Sequence, residues 1–226
     1  MKTIFLILVL ITGLISFEVE IQDILKNGNA KIEIQDKLQI GNSGIVIKNL
    51  KDGFKVITAY AELIAIDEVH FYPFVTLKQD NLPHGLWKPE NGDIVRFQEN
   101  YNRAVILAKS FNSFIQISKR FNQEWIHSDI FTATLSSIGH KTPLKEDFQY
   151  FCQEHSIGLI YIELKDEIKK VDCLSLKTLE TIPMKFENLS FQKPFYSRIK
   201  KIDSNIFGDG IDDIQDFDKY YRGLIR

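Results

Sequence analysis

The chain reads as an α+β protein: an N-terminal β-rich, barrel-like half packed on a small α/β unit, with a C-terminal tail rich in aromatic and acidic residues. Three observations predict this. Through residues 17–97 short apolar–polar alternations recur between turns, as half-buried strands do. After Tyr101 the pattern changes to an unbroken apolar run followed by helical spacing. Beyond Met184 the chain carries Pro194-Phe195-Tyr196 and Lys219-Tyr220-Tyr221-Arg222, with aromatics too frequent for free disorder. The predicted division is residues 1–16 as a signal peptide, 17–100 as the β-rich domain, 101–183 as the α/β domain and 184–226 as a tail packing on the domains.

The β-rich half is read from its periods and punctuation. Ala30-Lys31-Ile32-Glu33-Ile34-Gln35 alternates, which puts Ile32 and Ile34 on one buried face. Gly41-Asn42-Ser43-Gly44 is a turn, since it precedes a strand and has no Lys-Ser/Thr of a phosphate loop. Gly44-Ile45-Val46-Ile47 follows as a strand, Lys51-Asp52-Gly53 turns the chain, and residues 54–66 are apolar and β-branched. Pro73, Pro83 and Pro89 mark a loop that ends at Asn91-Gly92-Asp93, before the strand Ile94-Val95-Arg96-Phe97.

In the α/β unit, Arg103-Ala104-Val105-Ile106-Leu107-Ala108 lacks alternation and so predicts a strand buried on both faces. Phe111, Phe114, Ile115, Ile117, Ser118 and Phe121 then follow a helical period. Ser128 or Asp129 caps a second helix containing Ile130, Leu135 and Ile138 and closed at Gly139. Thr142 caps a third, with Pro143 in its first position and Phe148, Phe151 and Cys152 turned inward. Residues 157–162 predict a second buried strand, and residues 169–182 a closing hairpin or edge strands.

The N-terminus predicts export. Met1-Lys2-Thr3 is a short positive start, and an unbroken apolar run from Ile4 to Ile11 leads to Thr12-Gly13-Leu14-Ile15-Ser16. This run is shorter than the roughly 20 residues of a membrane-spanning helix. Ser16 suits cleavage and Leu14 does not, so an uncleaved N-terminal anchor stays open beside a cleaved leader. The location expected is the periplasm or the cell surface, with no integral membrane span after the signal is removed.

With 28 Lys and Arg against 30 Asp and Glu, the net charge of −2 advertises no broad basic surface, and nucleic acid is not an expected partner. The chain has two cysteines, Cys152 and Cys173. In an exported protein an even count favours a disulfide between them; the alternative, reactive thiols, has His155 as the local partner for Cys152.

Other chemistry finds little support. Gly208-Asp209-Gly210-Ile211-Asp212-Asp213 resembles a calcium loop, but with Asp203 it misses the EF-hand register and reads as a solvated acidic turn. The histidines His70, His84, His127, His140 and His155 show no zinc-ligand spacing. His127 stands where a strand feeds a helix, and as a cap or turn residue it needs no catalytic role. Neither a Gly-x-Ser-x-Gly elbow nor another nucleophile setting is present. No catalytic residue, cofactor or metal is expected.

Seven segments together carry a family resemblance. Residues 41–47, Asn91-Gly92-Asp93-Ile94-Val95, Asn102-Arg103-Ala104-Val105-Ile106, His127-Ser128-Asp129-Ile130, residues 147–152, Val171-Asp172-Cys173 and Pro194-Phe195-Tyr196-Ser197-Arg198 resemble the N-terminal domain of plasminogen-binding surface proteins of Helicobacter and Campylobacter relatives. The resemblance spans nearly all the chain after the leader. One departure is Ser128, where the family pattern has proline.

The resemblance implies an exported, non-enzymatic protein of the host interface that captures plasminogen through lysine. Plasminogen kringles hold a lysine ammonium between carboxylates and its stem in an aromatic trough. Longer family members carry lysine-rich extensions, whereas this sequence ends at Arg226. The implied contact therefore moves to an internal lysine beside a carboxylate, and Lys219 with Asp216 at i, i+3 supplies that spacing, aided by Lys200 and Lys201. The plain alternative for Asp216 and Lys219 is a surface ion pair. Two other functional readings stand beside this one: a periplasmic scaffold or envelope-assembly factor whose partner is another envelope protein, and an α/β enzyme using the strand ends near Ser110 and His127.

Overall fold

The computed structural model describes residues 16–74, 87–187, 191–199 and 214–225. The segment predicted as an export signal, apart from Ser16, lies outside these residues. So do Lys200, Lys201, Pro83, His84 and the acidic turn at 208–213.

Six antiparallel strands close a barrel: β1 (Phe17–Ile24), β2 (Ala30–Ile32), β3 (Ser43–Asn49), β4 (Lys55–Ala65), β5 (Glu68–Pro73) and β6 (Ile94–Phe97), in the order β1-β2-β5-β4-β3-β6. Closure leaves no strand edge exposed to other chains. A barrel this narrow needs small inward side chains, and Ala30, Ala59 and Ala61 sit among Val19, Ile21, Val46, Leu63, Val69, Val95 and Phe97 in its core.

The expected pairing of Ile32 and Ile34 on one face does not hold. Ile32 is buried, but Ile34 is 53% exposed. The cause is length: β2 stops at Ile32, so the alternation outlasts the strand.

The second unit is a five-stranded sheet, ordered β11-β10-β9-β7-β8, of β7 (Arg103–Leu107), β8 (Glu124–Ile126), β9 (Leu159–Leu164), β10 (Glu167–Asp172) and β11 (Thr178–Pro183). β7 is parallel to both β8 and β9, while β9, β10 and β11 form an antiparallel meander. Its helices are α1 (Phe111–Arg120), α2 (Ser128–Ile138), α3 (Lys145–Glu154) and α4 (Phe217–Leu224).

β7 is buried on both faces, and each face has its own core. Ala104 and Ile106 meet Phe114 and Ile117 of α1, together with Tyr161. On the opposite face Val105 and Leu107 meet Phe131, Leu135, Phe148 and Phe151 of α2 and α3, joined by Phe195, Phe217 and Tyr221 from the C-terminal region. Phe131 is the hub of this second core, with ring centroids 4.8 Å from Phe148, 4.5 Å from Phe151 and 5.4 Å from Phe195.

Two helix starts differ from expectation. α2 is capped by His127, whose Nδ1 accepts from the Asp129 N–H at 3.1 Å, so Ser128 and Asp129 are already helical. α3 begins at Lys145, not after Thr142. Asp147 reaches back to accept from the Leu144 N–H at 2.7 Å and is itself held by His140 Nδ1 at 2.9 Å, which fixes the first turn two residues later. Phe148, Phe151 and Cys152 do face inward.

Candidate functional site

The polar chemistry of this chain concentrates at the joint between barrel and sheet. Asp172, at the end of β10, has no solvent exposure. Its Oδ1 accepts from the N–H groups of Leu174 and Ser175 at 3.0 and 2.9 Å, closing the turn into β11. Its Oδ2 accepts from the barrel strand β3, through the Ser43 N–H at 2.9 Å and the Ser43 hydroxyl at 2.7 Å, and from the Tyr101 hydroxyl at 2.5 Å in the link between β6 and β7. Tyr101 in turn accepts from the Asn42 amide at 3.0 Å, and the Ser175 hydroxyl donates to the Gly41 carbonyl at 2.7 Å.

Burial pushes the Asp172 carboxyl upward, against the pull of its hydrogen-bond donors. It pushes the Tyr101 phenol well above its ordinary value, with the Asp172 charge adding to the rise. Both groups therefore act as a fixed donor–acceptor pair.

Close approach makes this joint possible. Gly41 has φ +98°, and a Cβ there would fall 2.3 Å from Lys177 Cβ. Across the seam, a Cβ on Gly158 would fall 2.4 Å from the Asn100 carbonyl oxygen. The Cys152–Cys173 disulfide, with Cα atoms 5.8 Å apart, ties α3 to the residue after Asp172. A shallow cleft opens beside it, lined by residues that include Ile45, Tyr60, Glu99, Gln153 and Leu174.

The second place to seek chemistry is the carboxyl end of the parallel strands. The chain passes from β7 through α1 to β8 on one side, then through α2 and α3 to β9 on the other, so the strand order reverses at β7. Open α/β sheets bind ligands at such a reversal. Here the chain's own C-terminal segment lies across it. The Tyr196 N–H donates to the Ala108 carbonyl at 2.7 Å and the Gln192 N–H to the Lys109 carbonyl at 2.8 Å, just past β7.

The groups named by the enzyme reading are engaged in this closure. Ser110 caps α1 by accepting from the Ser113 N–H at 3.2 Å. The His127 ring packs 4.8 Å from Phe114 and 6.2 Å from Tyr196, and burial lowers its pKa. The Ser128 hydroxyl donates to the Tyr196 carbonyl at 2.6 Å. Asp129 accepts from the Ser197 hydroxyl and the Arg198 N–H, both at 2.8 Å, and from Arg198 Nε at 2.6 Å.

Glu163 of β9 is also buried, and its carboxylate accepts from the Lys109 N–H at 2.7 Å. Burial pushes its pKa up, opposed by the bond from Lys109. No group of three or more His, Cys, Asp or Glu placed to hold a metal occurs among the described residues.

α4 carries the sequence-predicted contact. Phe217 and Tyr221 are buried, and the Tyr221 hydroxyl donates to the Pro194 carbonyl at 2.9 Å. The Tyr220 hydroxyl donates to the Pro143 carbonyl at 2.7 Å; burial and the Asp147 charge push its pKa up to about 12. Asp218 pairs with Lys109 at 2.8 Å and Arg222 with Glu167 at 2.6 Å.

Lys219 and Asp216 are both exposed. Asp216 is the helix N-cap, accepting from the Lys219 N–H at 3.0 Å. Sequence reasoning missed this capping role, although an aspartate directly ahead of an aromatic helical segment is a recognisable cap signal. It also missed Asp172, whose only sequence sign is a charge lodged between Val171 and Cys173.

The structure thus defines an α+β module in which a closed barrel is locked to a sheet whose strand-reversal point is covered by its own chain. A family model described as "Plasminogen-binding protein pgbA N-terminal" matches residues 16–225, and the chain belongs to that family. The family name points to a binding protein rather than an enzyme.

Two relatives from different strains of Helicobacter pylori, each named Plasminogen-binding protein PgbA, are 25% identical over 191 residues. The matches cover 81% of this chain but only 42% and 41% of the relatives, so the chain spans less than half their length. No solved structure matches. Among the described residues, no helix is long and apolar enough to cross a membrane.

Proposed function

We propose that this chain is an exported cell-envelope protein that binds plasminogen through lysine. The observation that carries the reading is the family match across residues 16–225, taken with relatives named for plasminogen binding. The contact is placed on Lys219, which projects from the first turn of an anchored helix, with the Asp216 carboxylate one turn away imitating a terminal lysine. Lys200 and Lys201 add long-range attraction that weakens with salt. The barrel, residues 17–100, and the α/β domain, residues 101–183, serve as one rigid support, with the 184–226 tail packed against them.

The test is surface plasmon resonance on immobilised plasminogen with the full chain. Binding should be modest and abolished by a free lysine analogue, because a kringle pocket recognises one cationic side chain and little else. Binding indifferent to the analogue, or none, overturns the reading.

A second reading, an envelope scaffold, is favoured by one observation. Several residues that carry the family resemblance, Asp129, Asp147 and Asp172, make internal bonds and present little to a partner. In that case intact cells protect the protein from added protease until the outer membrane is breached.

A further inference from the structure

His127 and Asp129 share a task at the start of α2, and one ring nitrogen decides how they divide it. The His127 Nδ1 accepts from the Asp129 N–H at 3.1 Å, which only an unprotonated nitrogen can do. The same nitrogen lies 3.2 Å from Asp129 Oδ1. That oxygen already has two donors from the C-terminal segment, the Ser197 hydroxyl and the Arg198 N–H, each at 2.8 Å.

Protonation turns Nδ1 from an acceptor into a donor. The cap bond from the Asp129 N–H is then lost, and the new N–H faces Asp129 Oδ1. With both partners charged, that contact is stronger than those made by the neutral Ser197 hydroxyl and Arg198 amide. Asp129 Oδ2 keeps Arg198 Nε at 2.6 Å, but the Arg198 side chain is 68% exposed, a setting in which an ion pair holds little.

The surroundings of the ring set where the change falls. Burial is the largest influence and lowers the His127 pKa below 6.5; Asp129 on α2 pulls it up, and Arg198 on the C-terminal segment pushes it down. The other faces are uncharged rings, Phe114 of α1 at 4.8 Å and Tyr196 at 6.2 Å. Asp129 titrates below 3.8, so it keeps its charge while His127 gains one.

Upstream bonds limit how far the effect spreads. Phe195 is fully buried and stacks on Phe131, the Tyr196 N–H donates to the Ala108 carbonyl, and the Tyr196 carbonyl accepts from the Ser128 hydroxyl. None of these contacts uses His127 Nδ1 or Asp129 Oδ1. Release therefore begins after Tyr196.

We propose that His127 is a proton-operated clasp on the C-terminal segment: the neutral ring leaves Asp129 to hold Ser197 and Arg198, and the protonated ring takes Asp129 and frees the chain after Tyr196. Lys200 and Lys201 follow the release point in sequence. That the clasp thereby governs the attraction assigned to them rests on the plasminogen reading; the clasp itself does not.

The test places a nitroxide spin label on Ile199→Cys and, separately, on Lys193→Cys in the full chain, two exposed positions on either side of Tyr196. Both native cysteines are bonded, so the label enters only the introduced thiol. Between about pH 7.5 and about pH 5 the label at 199 should gain mobility roughly threefold, with a midpoint below 6.5, while the label at 193 stays unchanged. His127→Asn, which caps a helix without titrating, should abolish the step and keep position 199 held throughout.

A step that survives in His127→Asn belongs to another group and overturns the proposal. Equal gains at 193 and 199 overturn it as well, since the whole segment would then loosen. An unchanged label at 199 does the same, whether NMR shows the ring protonating or staying neutral. Plasminogen takes no part in this measurement, so failure of the plasminogen reading is seen separately, by surface plasmon resonance.

Discussion

Asp172 and Asp216 use the same local device in opposite settings. Each accepts from the backbone N–H three residues on, Asp172 from Ser175 at 2.9 Å and Asp216 from Lys219 at 3.0 Å. Asp172 is wholly buried and its second oxygen gathers two donors from Ser43 of the barrel and one from Tyr101 of the β6–β7 link, so one carboxylate closes a turn and joins two units. Asp216 is exposed and closes only the first turn of α4. A buried carboxylate whose donors would be left unsatisfied is costly to remove, whereas an exposed one keeps its charge available to a partner. The contrast separates residues that hold the fold from residues available for function.

The most severe break in that contrast is Asp172→Ala, which strands buried donors on both sides of the joint. It should lower stability by about 4 kcal/mol. Chemical denaturation reads the loss directly; a shift below about 1 kcal/mol would mean that water replaces the carboxylate without strain. Reduction of Cys152–Cys173, which closes a separation of 21 residues next to the same aspartate, should cost about 3 kcal/mol. A thermal melt unchanged by reductant would contradict the disulfide's part in the joint.

Acid provides a gentler probe at the strand-reversal clamp. Burial raises the Asp129 pKa, but the Arg198 N–H, the Ser197 hydroxyl and the Arg198 guanidinium together outweigh it and hold it below the ordinary 3.8. A depressed carboxylate contributes stability above its unfolded value, and that stability is lost as pH falls through the folded value. His127 acts in the same direction. Burial holds it below 6.5, so its neutral-form contribution is present above that value and fades as pH falls. An NMR titration should place the His127 ring below 6.5 and the Arg198 amide shift below 3.8. Midpoints at or above these values would show that Tyr196, Ser197 and Arg198 do not grip α2 in solution.

What the sequence made legible follows from how far each signal reaches. The continuous apolar run at 103–108 and the helical spacing at 111–121 predicted β7 and α1, because burial on two faces and on one face leave different periods. Ile34 misled because a period-two pattern cannot say where hydrogen bonding stops. β8, only Glu124–Ile126, is too short to show a period, and its parallel pairing to β7 is non-local. The joint was illegible for the same reason: Ser43 and Asp172 are 129 residues apart, and nothing near either announces the other. The proposed lysine contact came from resemblance, and its cap geometry from coordinates alone.

The account holds that surface and joint are separable, and one paired measurement tests this most directly. Lys219→Ala and the parent chain are compared for plasminogen binding by surface plasmon resonance and for unfolding in the same buffer. Lys219→Ala should lose most of its lysine-analogue-sensitive binding while changing stability by no more than about 0.5 kcal/mol, as an exposed side chain outside the joint would. Full binding retained by Lys219→Ala would contradict the assignment of the contact to α4.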